Sequence, residues 1–192
     1  ILICSALPGE GKTTTAIAIA RTYAAAGLNT LLVDCDLRKP SVADYLGFDP
    51  ANGLINYLID GESNPEMIIH PLRDQLSGAT VIVAGHRSSQ PTDQLINSAR
   101  FTSVIEVVRD MYDIIVLDSP PLLPVVDTRY LAQSADCAVM VVRFSNTTQG
   151  EAREAASQIQ EVLPPNVALL GLLNRQVKQT SKRGYYNRGY SG

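Results

Sequence analysis

The 192 residues carry 19 acidic against 16 basic side chains, and a net charge of −3 gives the chain no global pull toward nucleic acid or a membrane surface. With 45% hydrophobic and 18% charged residues, it has the balance of one globular domain able to bury a full core without staples. No apolar stretch reaches the ~18 residues of a membrane span and no signal peptide is expected, while Cys4, Cys35 and Cys137 lack metal-ligand spacing and read as buried or half-buried thiols of a reducing compartment.

The chain opens strand-like at Ile1 without an initiating Met and stops at Gly192, so it is expected to be a piece of something longer. A strand over residues 1–5 leads into an alanine-rich helix over 13–26, closed by Gly27. A second apolar run, 29–34, is followed by helical stretches at 41–46 and 54–59. The run 79–84 precedes helices at 92–98 and 100–111. Strand 113–118 leads to helix 128–134, and strand 137–143 to helix 149–162, which Pro164-Pro165 ends. A last strand is predicted at 167–173. The runs are continuous rather than alternating, the pattern of parallel strands covered on both faces. Strands alternating with helices predict a doubly wound α/β fold, a mostly parallel sheet flanked by helices, with its ligand at the carboxyl ends of the strands.

Polar chemistry falls at those ends. Ala6-Leu7-Pro8-Gly9-Glu10-Gly11-Lys12-Thr13 sits between the first strand and the first helix and fits a relaxed Walker A pattern, with Ala6 where the stricter form has Gly. Gly9 and Gly11 let backbone N–H groups turn inward on phosphate oxygens, and the helix adds its positive dipole end. This predicts P-loop architecture with ATP and Mg²⁺ as cofactors. Pro8, Gly9, Glu10, Gly11, Lys12, Thr13 and Thr14 are the expected nucleotide contacts. Lys12 is expected on the β- and γ-phosphates and Thr13 on the metal. Asp34 and Asp36 end the second apolar run with the same parity, and Asp118 ends another before Ser119-Pro120-Pro121. A lone strand-end Asp is commonly a cap or turn former. Three beside a phosphate cradle read as metal and base chemistry. Lys39 reads as a solvated cation. Arg38 is left between a surface role, a carboxylate partner and a phosphate contact. Cys35, between two acids, is expected to have a raised pKa. His70 and His86 carry no partner pattern and read as surface residues.

Beyond Arg175 the chain turns polar, with Lys178, Lys182, Arg183 and Arg188, no acidic residue, and Tyr185, Tyr186 and Tyr190. The division expected is a P-loop domain over 1–175 and a flexible, basic, tyrosine-rich tail over 176–192.

Together these segments resemble the bacterial tyrosine kinases found as the cytoplasmic half of polysaccharide co-polymerases. Ser5 to Thr13, with its Pro-Gly-Glu-Gly core, resembles their Walker A. Leu31-Leu32-Val33-Asp34-Cys35-Asp36-Leu37-Arg38-Lys39-Pro40 resembles the second acidic motif, Walker A′, and its Asp-x-Asp-x-Arg-x-Pro spacing is the most specific part of the match. Tyr112 to Pro121 resembles Walker B. Gly53-Leu54 with Leu58 and Gly61 is similar to the family's short helix after Walker A′, and Ala84-Gly85 with Gln90-Pro91 to its loop before the next helix. The resemblance implies that Lys12 and Thr13 hold phosphates and Mg²⁺, that Asp36 and Asp118 support the metal directly or through water, and that Asp34 or Asp36 accepts the tyrosine's proton. It further implies that Asn174 contacts adenine and that Tyr185, Tyr186 and Tyr190 are phosphoacceptors. The implied enzyme is an ATP-dependent tyrosine autokinase regulating capsular or exopolysaccharide export. It would assemble as a homo-oligomer through tail-to-active-site contacts and act with a membrane-embedded activator, fused or separate. Its place would be the cytoplasmic face of the bacterial inner membrane, and no nucleic-acid partner is expected.

Two other classes remain in view. Septum-positioning and partition ATPases share the acidic motifs but place a second lysine where this chain has Leu7. A non-catalytic nucleotide-binding regulator would not need the retained Lys12, Thr13, Asp34, Asp36 and Asp118.

Overall fold

In a computed structural model the described residues are 1–48, 53–60, 72–86 and 89–176. In chain order the elements are β1 (Leu2–Ser5), α1 (Lys12–Ala25), β2 (Thr30–Asp34), α2 (Val42–Leu46), α3 (Leu54–Asp60), β3 (Leu72–Arg73), β4 (Thr80–Ile82), α4 (Thr92–Ile96), α5 (Ala99–Met111), β5 (Ile114–Asp118), α6 (Asp127–Ala132), β6 (Cys137–Arg143), α7 (Gln149–Gln160) and β7 (Ala168–Asn174). They build one seven-stranded sheet in the order β3-β4-β2-β5-β1-β6-β7, parallel except for β3.

The unbroken apolar runs are explained by two cores, one on each face of the sheet. Leu2, Cys4, Leu31, Val33, Leu117 and Met140 turn one way, toward residues of α3 to α7 such as Leu58, Ile96, Val104, Leu131 and Ile159. Ile3, Leu32, Val116, Val139 and Val141 turn the other way, onto Ala16, Ile17 and Ala20 of α1 and Val42 and Ala43 of α2. Alternate residues of each strand thus serve opposite cores, which is what an apolar strand buried on both faces requires.

Three departures from the sequence reading have local causes. The strand expected over 79–84 stops at Ile82, because the Val83 and Ala84 carbonyls accept the first amides of α3, from Leu54 and Ile55, both at 2.9 Å. That docking requires glycine at 53: a Cβ there would meet backbone atoms of Gly85, Val83 and Ala84 within 2.4–2.6 Å. The two-residue antiparallel β3 is too short for any periodicity. Strand β7 is an edge strand and is not covered on both faces: Leu170 and Leu173 are 52% and 53% exposed. No helix among the described residues is long and apolar enough to cross a membrane.

The order β2-β5-β1 puts three loops side by side at the carboxyl edge. Asp34 and Asp118 are in-register neighbours on β2 and β5, and Ile3 of β1 is paired with Asp118. The sheet therefore delivers two strand-end acids beside the loop that leaves β1.

Candidate active site

The loop after β1 is shaped by two left-handed glycines, Gly9 at φ 78° and Gly11 at φ 97°. A side chain at Gly11 would also place its Cβ 2.3 Å from Nδ2 of Asn174. Gly11 is the N-cap of α1, and no side chain caps that helix. Its first amides thus remain available to an anion.

Glu10 has a role that the sequence did not disclose. It is fully buried, and its carboxylate accepts the Leu7 amide at 2.6 Å, the Arg143 amide at 3.0 Å and the Thr147 hydroxyl. Its backbone carbonyl accepts the Asn174 side-chain amide at 2.8 Å. Glu10 reaches the site through its backbone, while its side chain ties the cradle to the turn after β6. By sequence Glu10 reads only as a nucleotide contact, and nothing local signals side-chain partners more than 130 residues away.

Lys12 leans across the cradle onto Asp36, Nζ to Oδ2 at 2.9 Å. Burial disfavours the ammonium, but Asp118 and Asp36, helped by the hydrogen bond to Asp36 and by Asp34, outweigh it and raise the Lys12 pKa. The other Asp36 oxygen accepts the Lys39 amide at 3.1 Å. Asp34 is fully buried, and its carboxylate anchors the following loop by accepting the amides of Asp36, Ser41 and Val42 at 3.0–3.2 Å. Burial, with Asp118 beside it, pushes its pKa up to about 7 despite the Val42 and Ser41 amides. Of the two acids considered as proton acceptor, Asp36 lines the cavity and Asp34 does not.

Asp118 is the anomaly. It is fully buried and neither carboxylate oxygen has a well-formed hydrogen bond. Burial lifts its pKa to about 6, with the Lys12 ammonium and Thr13 hydroxyl pulling it down and Asp36 pushing it up. An orphaned buried carboxylate of this kind calls for a missing partner. The Thr13 hydroxyl, 3.2 Å from that of Ser41, stands on the same helix end. A hydroxyl with a spare carboxylate suits magnesium, which prefers oxygen ligands and keeps water and substrate phosphates among them. The described residues contain no group of three His, Cys, Asp or Glu side chains that could hold a metal unaided. The fit is therefore to a metal that arrives with a polyphosphate.

A cavity of about 430 Å³ opens here, with a lining that includes Gly9, Gly11, Lys12, Thr13, Asp36 and Arg38. Pro8 and Thr14 line it as well. Asn174 ends β7, bonded to the cradle by Nδ2 and to the Arg175 amide by Oδ1 at 2.8 Å. Arg38 pairs with a carboxylate, that of Asp127 at 3.0 Å. Cys4 and Cys35 are buried; burial first, and Glu10's charge second, push the Cys4 pKa to about 12, and burial, with Asp34, Asp118 and Asp36 nearby, also raises Cys35. His86 is exposed. Tyr185, Tyr186 and Tyr190, with His70, Gly61 and the tail's cations from Lys178 onward, lie outside the described residues.

The inward amides of such a nest favour a polyphosphate guest, and on this sheet they define a P-loop domain of the nucleotide-triphosphatase architecture. Comparison narrows the class. Residues 1–169 match the family described as AAA domain. EpsB of Ralstonia nicotianae is 33% identical over 189 residues, covering 98% of this chain but 24% of EpsB, so the chain spans about a quarter of that relative's length. The tyrosine-protein kinase CpsD of Streptococcus pneumoniae is 32% identical over 162 residues, 84% of this chain and 70% of CpsD. The kinase domain of the Escherichia coli tyrosine kinase ETK superposes with a TM-score of 0.85 at 25% identity, covering 98% of this chain and 72% of that one. The chain belongs to the bacterial tyrosine kinase family.

Proposed function

We propose that this domain transfers the γ-phosphoryl group of ATP to protein tyrosines, foremost Tyr185, Tyr186 and Tyr190 of its own tail, on a neighbouring copy. The observation that carries the reading is the Lys12–Asp36 pair at the mouth of the glycine cradle, beside an unpartnered Asp118. A triphosphate in the cradle offers Lys12 a stronger acceptor than one carboxylate. Lys12 then leaves Asp36, and the freed oxygen faces the cavity where a phenol would enter. The phenolic oxygen bonds to the γ-phosphorus, the bond from that phosphorus to the β–γ bridging oxygen breaks, ADP leaves, and Asp36 takes the phenol's proton. Thr13 and Asp118 would hold magnesium, which neutralises triphosphate charge when bound. Positioning and charge stabilisation supply most of the rate in such transfers.

The tail is suited to the task by charge. Arg175, Lys178, Lys182, Arg183 and Arg188 favour an acidic, nucleotide-loaded site. Each phosphate added removes about 1.5–2 charges and weakens that attraction. Phosphorylation would thus release the tail from its neighbour, in a system coupling to a membrane-embedded polysaccharide co-polymerase at the cytoplasmic face. Asn174 is proposed to contact adenine after giving up its bond to Glu10.

The partition-ATPase alternative lacks its second lysine: Leu7 packs against the core instead. Incubation with γ-labelled ATP and Mg²⁺ separates the classes. A kinase labels Tyr185, Tyr186 or Tyr190, located by mass spectrometry. Release of free phosphate without labelled tyrosine, or neither outcome, rejects the proposal. A variant with all three changed to Phe should stay assembled with or without ATP, and cycling between assembled and free states would refute the charge account.

A further inference from the structure

Three elements converge on one buried carboxylate that the proposed chemistry does not use. Asp127, in the first turn of α6, is 1% exposed. One of its oxygens accepts Nε and Nη2 of Arg38 at 3.2 and 3.0 Å, and the other accepts the hydroxyl of Thr92, which opens α4. The Arg38 side chain itself is 44% exposed, and it lines the same cavity as Lys12, Thr13 and Asp36. A guanidinium has five N–H donors in a rigid plane. Asp127 engages two, and Nη1 has no partner among the described residues.

A solvated surface arginine needs no buried acid to hold it. Burying a carboxylate is costly unless it is paired and hydrogen-bonded. Here the pairing fixes the fork by its Nε edge and leaves Nη1 unengaged, on a side chain that lines the cavity. Lys12 supplies one cation at the cradle, while Arg38 supplies a second from the β2–α2 loop, a different wall of the same space. A planar fork with a free edge suits a phosphoryl group better than a single carboxylate oxygen.

We propose that Arg38 binds the phosphoryl group in transit between ATP and tyrosine, and that Asp127, with Thr92, is the positioning residue that aims it. This rests on the phosphoryl-transfer reading above. It predicts a contact made strongly in the transition state and weakly with ADP, because ADP has no γ-phosphoryl group.

The test compares affinity for Mg·ADP with affinity for Mg·ADP plus aluminium fluoride, a mimic of the transferring phosphoryl group, by titration calorimetry on the whole chain. The unaltered chain should bind the mimic more tightly than ADP. Arg38→Ala should lose about 10²-fold or more of mimic affinity, the scale of a charge-stabilising group, and keep ADP affinity within twofold. Arg38→Lys should lose most of the same increment, since it cannot reproduce the two-point grip. Asp127→Asn, which loosens the aim without removing the cation, should lose about tenfold. If Arg38→Ala merely harms folding by stranding Asp127, the double variant Arg38→Ala with Asp127→Asn should recover melting temperature but not mimic affinity. Mimic affinity retained within threefold in Arg38→Ala, or ADP affinity lost to the same degree, overturns the proposal. Failure of the unaltered chain to distinguish mimic from ADP and to label any tyrosine would instead overturn the phosphoryl-transfer reading, and this inference with it.

Discussion

Replacing Asp118 by Asn should stabilise the nucleotide-free domain at pH 8 while weakening its response to Mg·ATP. Asp118 is buried with no well-formed hydrogen bond, and its pKa rises from 3.8 to about 6. At ~1.4 kcal/mol per pH unit this corresponds to about 3 kcal/mol against the folded state once the group is ionised. Below pH ~4 both folded and unfolded chains hold the proton and the penalty is absent. Between pH ~4 and ~6 the unfolded chain ionises first, so stability falls as pH rises. Above that the penalty is complete. Asn removes it and also relieves Asp34, whose own rise to about 7 comes first from burial and next from Asp118. A domain of this size gains ~2–4 °C per kcal/mol, so the variant should melt about 6–12 °C higher at pH 8 and match the parent near pH 4. Thermal melts from pH 4 to 8 measure this directly. Addition of Mg·ATP should raise the parent's melting point more than the variant's. A variant that melts lower at pH 8, or whose advantage does not change with pH, refutes the account of Asp118 as a carboxylate awaiting its partner.

The two cradle glycines should fail differently. Each alanine is forced into the left-handed region, costing about 1–2 kcal/mol, so both variants should lose melting temperature and ADP affinity; Gly11→Ala should melt lower still, because its Cβ also meets Nδ2 of Asn174 at 2.3 Å whereas nothing lies within 4 Å of a Cβ at Gly9. Glu10→Gln puts an amide donor against the Leu7 or Arg143 N–H, and a buried donor without an acceptor costs about 1–3 kcal/mol. The expected result is a lower melting point and weaker ADP binding together, and unchanged ADP affinity would show that the tie to the turn after β6 does not shape the cradle. Gly53→Ala should unseat α3 from the end of β4, read as lost protection of the Leu54 and Ile55 amides from hydrogen exchange while β1 and β2 stay protected.

What the sequence made legible was what repeats locally. Apolar runs such as Leu31-Leu32-Val33 announce strands because every residue serves one core or the other, and acids that end such runs can only lie at the carboxyl edge. The cradle was legible because glycine at 9 and 11 and lysine at 12 answer one local demand, an inward-turned backbone facing an anion. What escaped was set by pairings between distant segments. Glu10 acquires its role from Arg143 and Thr147, Arg38 its aim from Asp127 and Thr92, and Val83 and Ala84 leave the strand because α3 takes their carbonyls. None of these partners stands at a diagnostic spacing from the residue it serves. Asp34 and Asp118 show the same limit from the other side. Both end apolar strands and occupy paired positions in the sheet, yet one meets three backbone amides and the other meets none. That difference comes from the loop that follows β2, which folds back over Asp34, while Ser119-Pro120-Pro121 directs the chain after β5 elsewhere: Ser119 and Leu122 bond to carbonyls of β1 instead. One acid is therefore spent on building the loop, and its twin is left with its oxygens unclaimed beside the lysine.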